Sequence, residues 1–159
     1  MAKILVTYYT RSGHTQALAE AVRDGAAETA GAEVDFKPIA QVKAADLMGY
    51  DAIVIGSPVY YGTMAWEIKK LIDESVAYHG KLDGKVGGAF CTSANLAGGN
   101  ETCVLDILNC LLVHGMVVKG VARGDHYGPV GINVPDDRAT RHGREYGAMV
   151  AELAVKLHG

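Results

Sequence analysis

Three times in this chain an apolar run empties into a polar turn that leads on to a helical pattern, and this alternation limits the possible folds more than any other feature. Lys3–Tyr9 leads into Thr10-Arg11-Ser12-Gly13-His14-Thr15, Asp51–Gly56 into Ser57–Met64, and Lys85–Thr92 into Ser93–Asn100. Short continuous apolar runs, lacking the in-out alternation of a half-exposed strand, suit strands covered on both faces. Helices must supply that cover, so the pattern predicts a doubly wound α/β fold in three layers around a parallel sheet of five strands.

In chain order, Leu18, Ala21, Val22, Gly25, Ala26 and Thr29 form one helical stripe after the first turn, and Gly31 lies just past its end. Glu33–Ile39 is a second strand, placed at an edge because Asp35 and Lys37 interrupt its apolar pattern. Asp51–Gly56 reads as the central strand. Ala65, Ile68, Leu71, Ile72 and Val76 share a second helical face, and an apolar helix spans Glu101–His114 until Gly115 stops it. Met116–Ala122 is the fifth strand and 124–135 a loop. Asp136 and Asp137 start a closing helix with the stripe Tyr146, Met149, Val150, Leu153, Ala154 and Leu157.

With 159 residues the chain suffices for one domain, 1–159, with a core that needs no staple. A net charge of −3 leaves no basic footprint for nucleic acid. No apolar run reaches the ~20 residues of a membrane span, and the start lacks a signal-peptide core, so a cytoplasmic protein without membrane partners is expected. Cys91, Cys103 and Cys110 are odd in number and far apart, which suits reduced, buried thiols; no cysteine pair has metal-ligand spacing.

The first turn has the chemistry of a phosphate site. A strand that feeds a helix through a short loop leaves the first helical N–H groups unpaired and aimed at the loop. Thr10, Ser12 and Thr15 add hydroxyls, Gly13 lets the backbone close around an anion, and Arg11 and His14 add charge. The spacing is neither that of a dinucleotide loop nor that of a nucleoside triphosphate loop, which leaves a mononucleotide phosphate. A plain helix cap explains the same residues without a ligand. In a doubly wound sheet ligands sit outside the carboxyl ends of the strands, where all three turns converge.

The order and spacing of several stretches resemble the flavodoxin-like superfamily, and within it the WrbA-type NAD(P)H:quinone oxidoreductases. They are Tyr8–Thr15, Tyr50-Asp51-Ala52-Ile53, Ser57–Met64, Gly98-Gly99-Asn100-Glu101, His114-Gly115-Met116-Val117 and Leu153-Ala154-Val155-Lys156-Leu157. The resemblance implies strand order 2-1-3-4-5 and FMN as cofactor. By it, Thr10, Arg11, Ser12, Gly13, His14 and Thr15 hold the phosphate, and Pro58, Val59, Tyr60, Tyr61 and Gly62 line the isoalloxazine. Ala94, Asn95, Leu96, Ala97, Gly98 and Gly99 run along its pyrimidine edge, and His114 faces the ring as the catalytic residue. The chain is shorter than typical members between its second and third strands and around Tyr78-His79-Gly80. Ser12 stands where some members have an aromatic residue.

The activity so implied is two-electron reduction of a quinone-like acceptor by NAD(P)H through flavin N5, in a ping-pong cycle, with His114 serving the acceptor oxygen. A homodimer or homotetramer is expected. The rival is a flavodoxin-type electron carrier, against which the modest charge argues, since such carriers steer to partners with a strongly acidic surface. A receiver domain of the same topology needs carboxylates after strand one, and Tyr8-Tyr9-Thr10 supplies none. For His114 the plainer role is an interaction with the helix's negative end. Trp66 is expected in helix packing or a subunit contact, and Tyr127 at the border of the pocket.

Overall fold

The computed structural model describes residues 1–159. Five sheet positions run in the order β2-β1-β3-β5-β6, where β1 is Ala2–Tyr8, β2 Ala32–Pro38, β3 Ala52–Tyr60, β5 Val86–Ser93 and β6 Val117–Val118; all these neighbours are parallel. Two short strands extend this frame. β4 (Thr63–Met64) folds back antiparallel on β3, and β7 (Val130–Ile132) pairs with β5 in parallel. The helices are α1 (His14–Ala27), α2 (Trp66–Glu74), α3 (Asn100–Val113) and α4 (Asp137–His158). The expected order 2-1-3-4-5 is therefore observed, with seven strands on five positions.

Each face of the sheet has its own core. Ile4, Val6, Val54 and Phe90 pack with α1 and α4, whereas Leu5, Ile53, Ile55 and Ala89 pack with Met64, α2 and α3. The expected stripes Leu18, Ala21, Val22, Gly25, Ala26 and Tyr146, Val150, Ala154 are indeed buried. The α1–α4 crossing is close enough that a Cβ on Gly25 would sit 1.9 Å from the Arg144 carbonyl oxygen, and one on Gly147 at the same distance from that of Val22. No helix is long and apolar enough to cross a membrane.

The fifth strand is the main departure. Met116–Ala122 does not form one strand: only Val117–Val118 pairs, beside Val86 and Gly87. The chain then leaves the sheet and returns as β7 beside Cys91–Ser93, inside the stretch 124–135 expected to be loop. Between the two strands the Ala89 N–H has no strand partner; it donates instead to the hydroxyl of Tyr146 on α4 (3.2 Å). Cys91 N donates to the Pro129 carbonyl (3.1 Å), which starts the return.

Smaller differences have local causes. β3 continues past Gly56 because Ser57 and Pro58 still pair with Cys91 and Thr92. α2 stops at Glu74, where the Ser75 hydroxyl donates to the Ile72 carbonyl (2.6 Å), and a 3-10 turn follows over Ser75–Tyr78. Val76 is consequently exposed and not part of the buried face. Trp66, at the first position of α2, is 67% exposed, which removes it from helix packing.

Candidate functional site

The loops after β1, β3 and β5 meet at the carboxyl end of the sheet, and each is shaped by short polar contacts. In the first, the Thr10 hydroxyl accepts from Gly13 N (3.0 Å). Gly13, at φ +91°, caps α1 without any side chain serving its first N–H groups, and the first turn closes with Ala17 N on the Gly13 carbonyl. A Cβ built on Gly13 would meet nothing within 4 Å, so open space faces this helix end. Helix N–H groups without a side-chain cap, the positive end of the helix dipole and the exposed Arg11 and Ser12 are the kind of group that can hold an anion. Thr15 is the exception among the expected hydroxyls. It is 2% exposed and its Oγ1 lies 2.7 Å from the Thr92 hydroxyl, so its side chain ties α1 to β5 and only its backbone faces the loop.

The second loop is a hairpin. Tyr61 and Gly62, at φ +49° and +83°, form a two-residue turn between the pairs Tyr60–Thr63 and Val59–Met64. The Ser57 hydroxyl accepts from Ala65 N (2.8 Å) and donates to the Pro58 carbonyl (2.7 Å), while Thr63 Oγ1 donates to Asp106 (2.6 Å). Tyr61 stands fully exposed at the tip. Tyr60 instead meets Tyr9 edge-on, with ring centroids 6.5 Å apart, so the first two loops touch. The Glu67 carboxylate beside the Tyr9 hydroxyl holds that phenol above its ordinary pKa.

The third loop presents mainly backbone. Ser93 Oγ donates to the Asn95 carbonyl (2.8 Å) and accepts from Asn100 Nδ2, and Gly98 N donates to the Asn95 carbonyl (3.1 Å). Asn133, itself at φ +54°, reaches across from the end of β7 to donate to Ala94 O (3.1 Å). The Thr102 hydroxyl reaches the carbonyls of both Gly62 and Gly99 (2.5 and 3.0 Å). A Cβ on Gly99 would lie 2.6 Å from the Gly62 Cα, so hairpin and third loop are in direct contact. Sequence reading passed over Asn100, Thr102 and Asn133 as anchors. Asn133 alone left a signal, as a residue type that tolerates the left-handed region at the end of a β-branched run.

His114 is not with these loops. α3 starts at the site end and carries the chain back by about 20 Å, at 1.5 Å per residue, to the amino end of β5. There the Gly115 carbonyl accepts from Gly84 N, and Val117 N donates to Lys85 O. His114 is 9% exposed with Nε2 2.7 Å from the Ser75 hydroxyl. Since that hydroxyl already donates to Ile72, His114 Nε2 is the donor, and its Nδ1 is buried with no partner. Burial, and to a lesser degree His79 nearby, push its pKa below the ordinary value. His114, expected to face the ring as the catalytic residue, is thus not brought together with the three loops; within this chain it is a buried histidine at the end of α3.

Beyond the third loop lies a cavity of about 680 Å³, walled by Leu96, Ala97 and Gly99, the first turn of α3, and the segment 124–128 with Val130 and Arg138. Tyr127 and His126 border it. Cys91 and Cys103 are buried and Cys110 half-buried, all free. Burial raises the Cys110 thiol, and the neighbouring Cys103 raises that of Cys91, so neither of these two is an activated nucleophile.

Residues 5–106 match the flavodoxin domain family. The whole chain aligns with the whole of an NAD(P)H dehydrogenase (quinone) from Rhodopseudomonas palustris (strain TIE-1) at 37% identity, and with one from Nitrobacter winogradskyi at 36%. These alignments run over 202 and 200 positions, more than the 159 residues present, so both relatives carry segments that this chain lacks. Among solved structures, a WrbA-like flavodoxin from Agrobacterium tumefaciens superposes with a TM-score of 0.83 at 28% identity, covering 99% of each chain. Oxidised flavodoxin 1 from Bacillus cereus superposes at 0.81 with 20% identity, over 95% of this chain and 98% of that one, a likeness of fold.

Proposed function

The chain belongs to the flavodoxin domain family, and from that membership we propose that it is an FMN-dependent NAD(P)H:quinone oxidoreductase. The observation that carries the reading is the open, side-chain-free start of α1 standing beside a tyrosine hairpin and a backbone loop at one end of the sheet. The full-length relatives named for that activity support it. The donor set fits FMN: N–H groups and Thr10–Thr15 for the phosphate, Tyr60 and the hairpin for a flat heterocycle, and the exposed backbone of 94–99 for its polar edge. Bound there, FMN would supply two-electron chemistry between NAD(P)H and a quinone, the two substrates entering in turn.

The residues of this chain position and orient. Thr10 fixes the Gly13 turn, Ser57 and Thr102 hold the hairpin against the third loop, and Asn133 holds the third loop against β7. Under this reading the exposed apolar side chains Trp66, Leu112 and Val113 serve self-association into a homodimer or homotetramer. Free thiols suit a reducing compartment, and we assign the protein to the cytoplasm.

The test is a visible spectrum of the FMN-reconstituted protein, recorded before and after anaerobic NADH or NADPH and then benzoquinone. Bleaching by nicotinamide and recovery with quinone is the expected result. A bound flavin that only dithionite reduces would instead identify an electron carrier, and a protein that binds no flavin would remove both readings.

A further inference from the structure

Glu67 is the one carboxylate of the chain with an oxygen shut away from both water and donors: its Oε2 is buried and has no hydrogen-bond partner. An acceptor left in that condition carries its full desolvation cost. Groups held against such a cost concentrate at functional sites. The residue stands in the first turn of α2, just behind the hairpin strand β4, where the Ser57 hydroxyl already takes the N–H of Ala65 (2.8 Å). Its neighbour Trp66 lies out in solvent, while Glu67 itself is half-buried.

The group that Glu67 faces is the Tyr9 hydroxyl. Its carboxylate raises the pKa of that phenol, and Arg11 of the first loop acts on the phenol in the opposite sense. Tyr9 is the last residue before the first loop, and its N–H donates to the Gly56 carbonyl (3.1 Å). Its backbone is therefore fixed to β3, and side-chain contacts set the place of its ring. That ring packs with Val59 against the core under α2 and α3 and meets Tyr60 edge-on at 6.5 Å. Tyr60 in turn pairs with Thr63 beside the two-residue turn. Glu67, Tyr9 and Tyr60 thus link the start of α2, the entry to the first loop and the hairpin, three elements that the sheet alone does not tie together.

We propose that Glu67 is a positioning residue of the site: it accepts the Tyr9 O–H and, through the Tyr9 ring, holds Tyr60 in place against a flat ring seated on the hairpin. Hydrogen bonds at binding sites are often long in the free protein and tighten in the complex. When this one tightens, the buried carboxylate gains the donor it lacks, so satisfying it is coupled to filling the site. That the ring is a flavin rests on the reading above; the link from Glu67 to Tyr60 rests on these three side chains. Glu67 touches no ligand in this assignment and exchanges no proton with one.

The experiment titrates the full chain with FMN and with riboflavin, following flavin fluorescence and the visible circular dichroism of the bound ring. Glu67→Leu and Tyr9→Phe are each expected to weaken both flavins about fivefold to tenfold, the scale of one hydrogen bond, and to change the dichroic band in the same way. Tyr9→Phe leaves α2 untouched, so it tests the link even where Glu67→Leu folds poorly. Glu67→Gln, which keeps an acceptor oxygen, is expected to restore most of the affinity. The double variant is expected to be no weaker than either single one, since both break the same link. Equal losses for FMN and riboflavin locate the effect at the ring; a loss confined to FMN would place it at the phosphate and overturn the proposal. Wild-type affinity and dichroism in Glu67→Leu, or additive losses in the double variant, would overturn it as well while leaving the flavin reading in place. A wild-type protein that binds neither flavin would remove both together.

Discussion

Tyr146 shows how one side chain closes a gap in a sheet. The residue is 2% exposed, its hydroxyl is the acceptor for an Ala89 N–H stranded between β6 and β7, and burial pushes its pKa up to about 12. Tyr146→Phe keeps the ring and leaves that N–H buried without a partner, for which a loss of about 1–3 kcal/mol is expected in urea unfolding; an unchanged midpoint would mean that the N–H finds another acceptor. His114 makes the opposite kind of demand. Its folded pKa is depressed, chiefly by burial, so the folded state binds fewer protons than the unfolded chain once pH drops below the ordinary histidine value of about 6.5. Its contribution to stability is present above that value and lost as pH falls through the window beneath it. His114→Gln, with a side chain that can still donate to Ser75, is expected to flatten the fall in stability as pH drops below about 6.5. At this scale the sequence identified the residue types but not their surroundings: an apolar helix ending in His-Gly reads the same whether the histidine faces a ligand or Ser75.

The helices and inner strands were legible because each carries a continuous apolar run or stripe with a stop signal beside it. The failures came where pairing, not composition, decides. Val117 and Val130 are equally good strand residues, and it is the Pro129 carbonyl and the Tyr146 hydroxyl that apportion β5 between two short strands. Val76 fits the α2 face by periodicity, yet the Ser75 hydroxyl ends the helix first. The α1–α4 crossing belongs to this scale too. Two glycines face two carbonyl oxygens at distances no Cβ can occupy, so Gly147→Ala forces the helices apart. A loss of about 1–3 kcal/mol is expected, read as a lower urea midpoint with an unchanged slope. An alanine variant of wild-type stability would show that the two helices separate at little cost.

For the whole molecule, the architecture concentrates three loops at one end of a sheet whose opposite end is occupied by turns and His114. That polarity follows from parallel strands with helical returns, and it is why the turn at residues 10–15 was expected at the same end of the sheet as the turns after β3 and β5. The cavity beyond Gly99 was not legible, because its walls come from residues 96–104, 124–132 and 136–138, which no local pattern joins. The proposed flavin links site to stability. A ligand that binds only the folded chain adds about 2.7 kcal/mol at a hundredfold excess over its Kd, which for a chain of this size is about 5–10 °C in Tm. FMN is expected to give such a rise in a thermal melt. Riboflavin, which offers the same rings and ribityl chain but no phosphate, is expected to give a much smaller one, and Gly13→Ala, strained at φ +91°, to reduce the FMN shift toward it. Equal shifts from FMN and riboflavin would mean that the open start of α1 holds no phosphate, and the assignment of Thr10–Thr15 would fall with it.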